Sequence, residues 1–231
     1  MPVLPLRARL DAALLTRPPR LLHALLPGCE WTAPPRSAAG RPALYLTFDD
    51  GPIPDETPWV LAQLARYQAR ATFFCVGENL VRHPALAGAA LAAGHRLGNH
   101  THRHRSAWAG PRPAYLADVA ACQAELARLA PARLPTSPAP VPLFRPPFGR
   151  LTWPLLAALR PSYRVVMWSV LTRDYDPDLS PEICLRLTLA AARPGDVLVL
   201  HDSRKAGARL RFVLPRLLAH FAEQGFDFLA L

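Results

Sequence analysis

Short apolar runs recur along the chain and alternate with longer stretches in which apolar residues are spaced as on one face of a helix. The runs predict strands at residues 43–48, 71–76, 96–98, 143–145, 163–168, 197–200 and 226–229. The intervening stretches predict helices starting at about 58 and spanning 79–93, 114–130, 154–159, 181–192 and 210–224. This alternation is typical of βα units around a parallel sheet, closed or open. The pattern therefore predicts an α/β protein.

Residue types at the element ends support this division of the chain. Thr57 has the chemistry of a helix N-cap, with Pro58 at the first helical position. Gly94 is placed to end the helix predicted at 79–93. The segment 131–142 holds five prolines, too many for regular structure, and predicts a semi-rigid loop.

Length and composition indicate one large domain preceded by an arm. The chain has 231 residues, of which 51% are hydrophobic and 19% charged, so it can bury a substantial core. We predict an N-terminal arm at 1–40 and a catalytic domain at 41–231. The four cysteines form no Cys-x-x-Cys pair, which excludes the usual thiolate metal and redox motifs. We expect a monomer.

The chain is strongly basic, with a formal net charge of +10. All but one of its 27 Lys and Arg residues are arginine, the exception being Lys205, and they are scattered along the chain. A nucleic-acid-binding protein would be expected to gather its arginines among interleaved aromatic residues, so this class is disfavoured. No apolar run reaches the roughly 18 residues of a membrane span, so no transmembrane helix is expected.

The N-terminal arm leaves the location of the protein open. Residues 21–26 are apolar but few, follow two arginines and two prolines at 17–20, and lack a small-residue cleavage site. We interpret them as a peripheral helix, with membrane contact through the arm as the alternative. A cytoplasmic, a membrane-peripheral and a cell-envelope location all remain open.

Polar residues with catalytic potential follow several of the predicted strands, where active sites of parallel α/β folds lie. They are Asp49, Asp50, His100, His104, Arg145, Asp174 and His201. For the first two there is an alternative, because Asp-Asp-Gly-Pro is also an ordinary turn sequence.

Two of these histidines have a spacing that suits one metal ion. His100 and His104, if they lie on a helical turn, share one face and could bind a metal together with a carboxylate from another strand. His102 between them would point elsewhere. The alternative is that the pair serves surface or packing roles, which is the commoner use of two histidines four residues apart.

Five motifs in order resemble those of the polysaccharide deacetylase family, the metal-dependent carbohydrate esterases with the NodB homology domain. Residues 47–52 read Thr-Phe-Asp-Asp-Gly-Pro, residues 100–104 read His-Thr-His-Arg-His, and residues 145–149 read Arg-Pro-Pro-Phe-Gly. Asp-Tyr at 174–175 and Val-Leu-His at 199–201 complete the set. The resemblance runs from about residue 44 to the end of the chain.

The resemblance implies a fold and a metal site. The fold is a distorted (β/α) barrel of about seven parallel strands. Asp50, His100 and His104 are implied to bind one divalent metal, usually zinc, with cobalt, nickel or manganese as alternatives.

The resemblance also implies the acid–base groups and the substrate contacts. Asp49 is the implied general base, oriented by Arg145, and His201 is the general acid, with Asp174 as its partner. The residues implied to contact substrate are Phe148, Trp168, Tyr175 and Val199. A backbone N–H near Phe148 could stabilise the negative charge that the amide carbonyl gains on attack.

Three positions depart from the family pattern. Leu171 replaces an acid that is often present, Tyr175 replaces a usual tryptophan, and Val199 replaces a usual leucine. Tyr175 and Val199 would line the pocket for the acyl methyl group, so they bear on substrate choice. The expected activity is removal of N-acetyl groups from an oligo- or polysaccharide of chitooligosaccharide or peptidoglycan type. The alternatives are a de-N-formylase acting on a lipid-linked or small amino sugar, and a non-catalytic carbohydrate binder.

Overall fold

The computed structural model describes residues 16–129 and 141–231. Its strands form one parallel sheet in the order β5-β4-β3-β2-β1-β7-β6, and β8 pairs with the start of β1. The sheet curls into a half-barrel, which confirms the predicted barrel of about seven parallel strands. The strands are β1 (Ala43–Asp49), β2 (Thr72–Cys75), β3 (Arg96–Asn99), β4 (Leu143–Phe144), β5 (Arg164–Val165), β6 (Val170–Leu171), β7 (Val197–His201) and β8 (Asp227–Leu229).

Helices connect the strands and cover the outside of the sheet. In the described ranges they are α1 (Arg20–Leu25), α2 (Thr57–Arg66), α3 (Gly77–Arg82), α4 (Pro84–Ala92), α5 (Arg112–Leu129), α6 (Trp153–Leu159), α7 (Pro181–Ala191) and α8 (Gly207–Glu223). A short 3-10 turn spans Pro147–Gly149. The largest apolar cluster lies between the sheet and the helices, and α8 alone buries Leu210, Val213, Leu214, Leu217 and Leu218 in it.

β1 lies at the centre of the sheet and fixes the level of the strand ends. All seven of its residues are buried, because strands pair with it on both sides and the sheet curls around it. In the register, Asp49 is level with His201 on β7 and with Phe74 on β2. The backbone pairing alone therefore places Asp49 and His201 side by side at one edge of the sheet.

The long helix predicted at 79–93 is two helices. α3 ends at Arg82 and α4 begins at Pro84, with His83 between them at φ −134° and ψ 51°. Proline lacks the N–H that would continue the helix, and its ring disfavours helical geometry in the preceding residue. The break therefore follows from Pro84, which the apolar spacing alone concealed.

The predicted strand at 163–168 is also shorter than expected. β5 ends at Val165, and the chain then bends into β6, which the sequence pattern did not predict. Val166 still donates to the carbonyl of Phe144, and Met167 donates to the carbonyl of Glu30. Hydrogen bonds to two different segments replace a regular ladder here.

The Thr57 N-cap prediction is wrong. Thr57 is already the first residue of α2, and Glu56 at the cap makes no side-chain capping bond. The Thr57 hydroxyl instead accepts a hydrogen bond from the Ile53 N–H and donates one to Asp202. The Thr57 side chain therefore binds Asp202, a residue distant in the chain, and does not cap the helix as the local pattern predicted.

The described part of the N-terminal arm lies against the sheet. Glu30 forms a parallel bridge with Val166, and Thr32 forms an antiparallel bridge with Asp196. Arg17 donates to both carboxylate oxygens of Asp196. Residues 1–15, and with them part of the predicted arm, lie outside the described residues, as do Ala130 and most of the predicted loop at 131–142. Among the helices of the two described ranges, none combines the length and apolar character needed to cross a membrane.

Candidate active site

A cavity of about 410 Å³ lies at the carboxyl ends of the strands. The sequence-predicted residues on its wall are Asp49, Asp50, His100, His104, Phe148, Trp168, Tyr175, Val199 and His201. Arg145 and Asp174 are fully buried behind it and hold residues of the wall. The structure thus brings all the predicted site residues to one place.

Asp50, His100 and His104 converge on one point. His104 Nε2 lies 3.2 Å from Asp50 Oδ1, and His100 Nε2 lies 3.7 Å from the same oxygen. One ligand atom from each of the three lies within 4.8 Å of the others. Burial opposes ionisation of Asp50, but the hydrogen bond from His104 and the nearby imidazoles together hold its pKa below the usual range. This is a donor set of two imidazoles and one carboxylate.

The two histidines do not lie on a helical turn, so that prediction is wrong. The segment 100–104 is irregular, and its backbone reaches the left-handed region at Thr101 (φ 63°) and at His104 (φ 52°). The rings nevertheless stand with centroids 5.1 Å apart. Their convergence therefore comes from a folded loop whose unusual dihedral angles must be held by the surrounding structure.

Two side chains that sequence reasoning missed hold this loop. Asn99 accepts a hydrogen bond from the Thr101 N–H at 2.9 Å. Asp118 Oδ2, on α5, accepts from the N–H groups of His102 and Arg103, each at 3.0 Å. Asp118 lies on the buried face of α5. Its position among apolar helix residues was the one feature of the sequence that indicated a hydrogen-bond partner, because a buried carboxylate needs one.

His100 is fixed in one tautomer. Its Nδ1 lies 2.8 Å from the carbonyl oxygen of Arg145, so it carries the proton and donates it to that carbonyl. Nε2 is then left with a free lone pair directed at Asp50. Burial lowers the pKa of His100, against the nearby carboxylates that raise it, and so favours the neutral ring. A neutral imidazole with its second nitrogen anchored is the usual form of a metal-binding histidine.

Asp49 is held by Arg145. Nη1 of Arg145 donates to Asp49 Oδ1 at 2.8 Å and to the Thr47 hydroxyl at 2.6 Å. The other guanidinium nitrogens donate to the carbonyls of Val166 and Met167. Burial lowers the pKa of Arg145, against the opposing influence of Asp49, but four acceptors leave this buried cation well solvated by protein groups. One oxygen of Asp49 is thereby fixed in direction.

His201 is paired with Asp174. Nδ1 of His201 lies 2.7 Å from Asp174 Oδ1, and the backbone N–H of His201 donates to Asp174 Oδ2 at 2.8 Å. Burial disfavours the imidazolium, but the Asp174 carboxylate outweighs it and raises the pKa of His201 to about 9. His201 therefore carries a proton at neutral pH.

Two of the aromatic residues predicted to contact substrate stand against histidines of the cavity wall. Phe148 meets the His104 ring edge-on at 4.7 Å between centroids, and Tyr175 meets His201 in the same way at 5.0 Å. Trp168 packs so closely on Gly149 that a β-carbon there would lie 2.2 Å from the indole. Glycine at 149 is thus required by this close approach.

Leu171 also lines the cavity, on β6 opposite Val199 in the register. An apolar pair therefore occupies this part of the wall.

Asp202 is a further buried group that sequence reasoning missed. It accepts hydrogen bonds from the Gly51 N–H at 3.1 Å and from the Thr57 hydroxyl at 2.6 Å. It thus ties the end of β7 to the Asp50–Gly51 turn and to the start of α2. Burial raises the pKa of Asp202 to about 8, against the lowering effect of these hydrogen bonds.

A carboxylate and a protonated histidine that face one cavity at the ends of adjacent parallel strands are suited to moving protons in opposite directions during hydrolysis. We therefore infer that the fold and site are those of a hydrolase.

The comparisons with known proteins place the chain in a family. The family model described as polysaccharide deacetylase matches residues 36–161, more than half of the chain. A chitooligosaccharide deacetylase of Sinorhizobium fredii (strain NBRC 101917 / NGR234) is 37% identical over 172 residues, which cover 73% of this chain and 75% of that protein. A peptidoglycan-N-acetylglucosamine deacetylase of Bacillus cereus (strain ATCC 14579) is 30% identical over 187 residues, covering 80% and 84%. The chain therefore belongs to the polysaccharide deacetylase family.

A solved structure agrees with this assignment. The crystal structure of a peptidoglycan N-acetylglucosamine deacetylase in complex with an N-hydroxybenzamide superposes with a TM-score of 0.77 at 27% identity, covering 90% of this chain and 93% of that one. Membership of the family makes this protein a hydrolase of carbon–nitrogen bonds other than peptide bonds, as predicted.

Proposed function

We propose that this protein is a metal-dependent deacetylase that removes N-acetyl groups from amino sugars of an oligo- or polysaccharide. The observation that carries the proposal is the convergence of Asp50, His100 and His104 within 4.8 Å, beside the Asp49 carboxylate. Deacetylation of chitooligosaccharides and of peptidoglycan N-acetylglucosamine is the activity named for the two relatives. A glycan of either type is the substrate that we assign.

The three convergent residues fit a divalent metal. Two imidazole nitrogens and one carboxylate oxygen are a donor set that zinc accepts, and three protein ligands leave a position open for the reaction. The hydrogen bond from His100 to the Arg145 carbonyl leaves Nε2 free for coordination. We propose zinc, with cobalt, nickel or manganese as alternatives. When bound, such an ion polarises the substrate carbonyl and lowers the pKa of water toward neutrality.

Asp49 acts as the general base. Arg145 holds one of its oxygens at 2.8 Å, which directs the carboxylate toward the cavity where water attacks the amide carbon. A carboxylate held beside that water is positioned to take its proton during the attack. Arg145 also supplies the cationic partner that a buried carboxylate requires.

His201 acts as the general acid. It carries a proton at neutral pH because Asp174 raises its pKa to about 9. The amine leaves only after protonation, and His201 lies on the strand next to Asp49, so acid and base approach the scissile bond from neighbouring strands. Asp174 fixes the ring with Nδ1 toward itself, which leaves Nε2 as the nitrogen that donates.

The acyl group and the sugar occupy the remaining wall. We propose that Leu171 and Val199 contact the acyl methyl group, with Tyr175 beside them, and that Trp168 and Phe148 contact the sugar. A backbone N–H near Phe148 is our candidate for stabilising the oxyanion. An apolar acyl pocket suits acetyl better than formyl, which lacks the methyl group to bury.

The test combines metal analysis with acyl release. Purified protein is assayed for bound metal and for release of acetate and formate from chito-oligosaccharides, peptidoglycan fragments and lipid-linked N-formyl sugars. We expect acetate release that stops on chelation and returns with zinc. His201→Ala should lower kcat by about 100-fold or more while retaining the metal, which is the usual scale for a lost general acid. Formate release alone would replace the proposal by a de-N-formylase, and glycan binding without release of either acid would replace it by a binding protein.

A further inference from the structure

The rim of the cavity carries a cation on the metal-ligand side. Arg150 lies with its guanidinium carbon 4.9 Å from the centroid of the exposed Trp108 ring and 5.6 Å from that of Phe148. Phe148 in turn stands against His104. Arg150 is exposed and belongs to the cavity wall.

The opposite side, next to the general acid, repeats this arrangement. Lys205 Nζ lies 5.5 Å from the centroid of Tyr175, and Tyr175 stands against His201. Lys205, the one lysine of the chain, is exposed and also lines the cavity. Each side of the mouth therefore consists of a histidine, an aromatic ring and a cation in succession.

The two cations have no acidic partner in the part of the chain that the structure describes. Within residues 16–129 and 141–231, no carboxylate forms an ion pair with Arg150 or Lys205. The acids that line the cavity are Asp49 and Asp50, which are engaged with Arg145 and His104. Leu171 adds an apolar group to the wall. Among the described residues, the mouth thus presents two positive charges without an ion-pair partner and no carboxylate that is unengaged.

We propose that the substrate carries an anionic group, a carboxylate or a phosphate, close to the N-acyl sugar, and that Arg150 and Lys205 bind it. This inference rests on the proposed deacetylase function and narrows its substrate class to anionic glycans. The aromatic rings limit the motion of both cations, so less conformational entropy is lost when an anion binds. The flat face of Trp108 next to Arg150 suits a sugar ring that follows the anionic residue.

The experiment compares substrate pairs in which one member carries the anionic group and the other lacks its charge or the group itself. For the carboxylate, the pair is a tetrasaccharide of alternating N-acetylglucosamine and N-acetylmuramic acid, with its lactyl carboxylates either free or converted to amides. For the phosphate, it is tetra-N-acetylchitotetraose with and without a reducing-end phosphate. We expect kcat/KM about tenfold higher for the anionic member of at least one pair, the scale of one hydrogen bond to a charged group. The pair that shows the preference identifies the anion.

Variants assign the preference to the rim. Arg150→Gln and Lys205→Gln should each reduce the ratio of anionic to neutral kcat/KM severalfold, whereas Arg186→Gln, an exposed arginine away from the cavity, should leave that ratio unchanged. Raising the salt concentration to about 0.5 M should also reduce it, because exposed charges are screened.

The two proposals fail in different ways. Equal kcat/KM within both pairs, with acetate still released, would overturn the anionic inference and leave the deacetylase function intact. Absence of acyl release from every compound would overturn the function itself. In that case, calorimetric titration of Asp49→Asn with the same substrate pairs still measures whether the anionic member binds more tightly. Equal affinities within both pairs would overturn the inference that the rim binds an anionic group.

Discussion

Asp49 and Asp50 are chemically identical neighbours with different surroundings. Asp49 is the last residue of β1, is nearly fully buried, and points to Arg145. Asp50 follows the strand at φ 82°, in the left-handed region, and points to His104. The backbone turn between the two residues sends one carboxylate to a cation and the other to a pair of imidazoles. Their proposed roles as base and ligand follow from that separation.

We expect the two Asn variants of this pair to fail differently. Asp49→Asn keeps shape but loses basicity, so it should retain metal and lose nearly all turnover. Asp50→Asn removes a charged donor and should weaken metal binding by about tenfold at least, since even losses beyond the ligands cost 10–100-fold. Added zinc or cobalt should partly restore the second variant alone. Metal content and acetate release are measured side by side, and loss of metal from Asp49→Asn with retention in Asp50→Asn would exchange the two roles.

The raised pKa of His201 predicts the alkaline side of the pH profile. A general acid must be protonated, so kcat should hold through neutral pH and fall as the pH rises through about 9. Asp174→Asn removes the negative charge that raises this pKa, so the descending limb should move to lower pH, toward the ordinary histidine value. Profiles of kcat from about pH 6 to pH 11 on metal-loaded protein test this. An alkaline limb at the same pH in both proteins would contradict the pairing as its cause.

At the scale of elements, α5 holds the loop at 100–104, which carries two of the proposed metal ligands. Asp118 reaches from this helix to the N–H groups of His102 and Arg103, and the loop between His100 and His104 adopts left-handed dihedral angles that it would not keep alone. The contact joins a helix and a loop that are separated by the segment 105–111 in the chain. The precision of the donor set therefore depends on a helix that contributes none of the donors.

We expect Asp118→Ala to weaken zinc binding by about tenfold with a folded protein, because the loop loses two hydrogen bonds that hold it. Asp118→Asn keeps one acceptor oxygen and should lie closer to the wild type. Arg128→Ala on the same helix, which breaks an exposed ion pair with Glu125, is the control and should leave zinc affinity unchanged. Calorimetric zinc affinity and circular dichroism are the measurements. Unchanged affinity in Asp118→Ala would show that the loop holds its shape without α5.

Most helices and strands could be predicted from the sequence, because a buried face requires apolar residues at the spacing of a helix or a strand. β1, β2 and β7 appeared as apolar runs, and α8 appeared through its apolar face. β6 was missed because its two residues form too short an apolar run to recognise, whereas β4 and β5, equally short, lie within longer predicted runs. The break at Pro84 was missed because apolar spacing continues across it, although proline itself signalled the boundary.

At the scale of the whole molecule, the arm and the half-barrel share backbone hydrogen bonds. Glu30 donates to the carbonyl of Val165 and accepts from the N–H of Met167. It therefore covers the outer edge of β5, which would otherwise be unpaired at the end of the sheet. The boundary predicted at residue 41 stays a prediction, and these contacts attach residues before it to the sheet.

A truncated chain tests this attachment. Protein that begins at residue 41 should have a Tm lower by about 5 °C or more than protein that begins at residue 16, because it loses at least two backbone hydrogen bonds and exposes a strand edge. The shorter truncation is the control, since it retains every described contact of the arm. Thermal unfolding followed by circular dichroism provides the measurement. Equal Tm values would show that the domain is complete from residue 41.

The sequence by itself determined the parallel α/β fold and the set of residues at the strand ends. A buried strand is apolar, which the residue pattern records, and the five ordered motifs at the strand ends identify the polar residues of the site. Only the tertiary structure decided how those residues meet. Three features depend on contacts between segments far apart in the chain. They are the turn that separates Asp49 from Asp50, the loop that brings His100 to His104, and the stacking of Arg150 on the aromatic rings at the cavity rim. Such contacts form between elements that pack only in the folded protein, so local residue patterns carry no record of them.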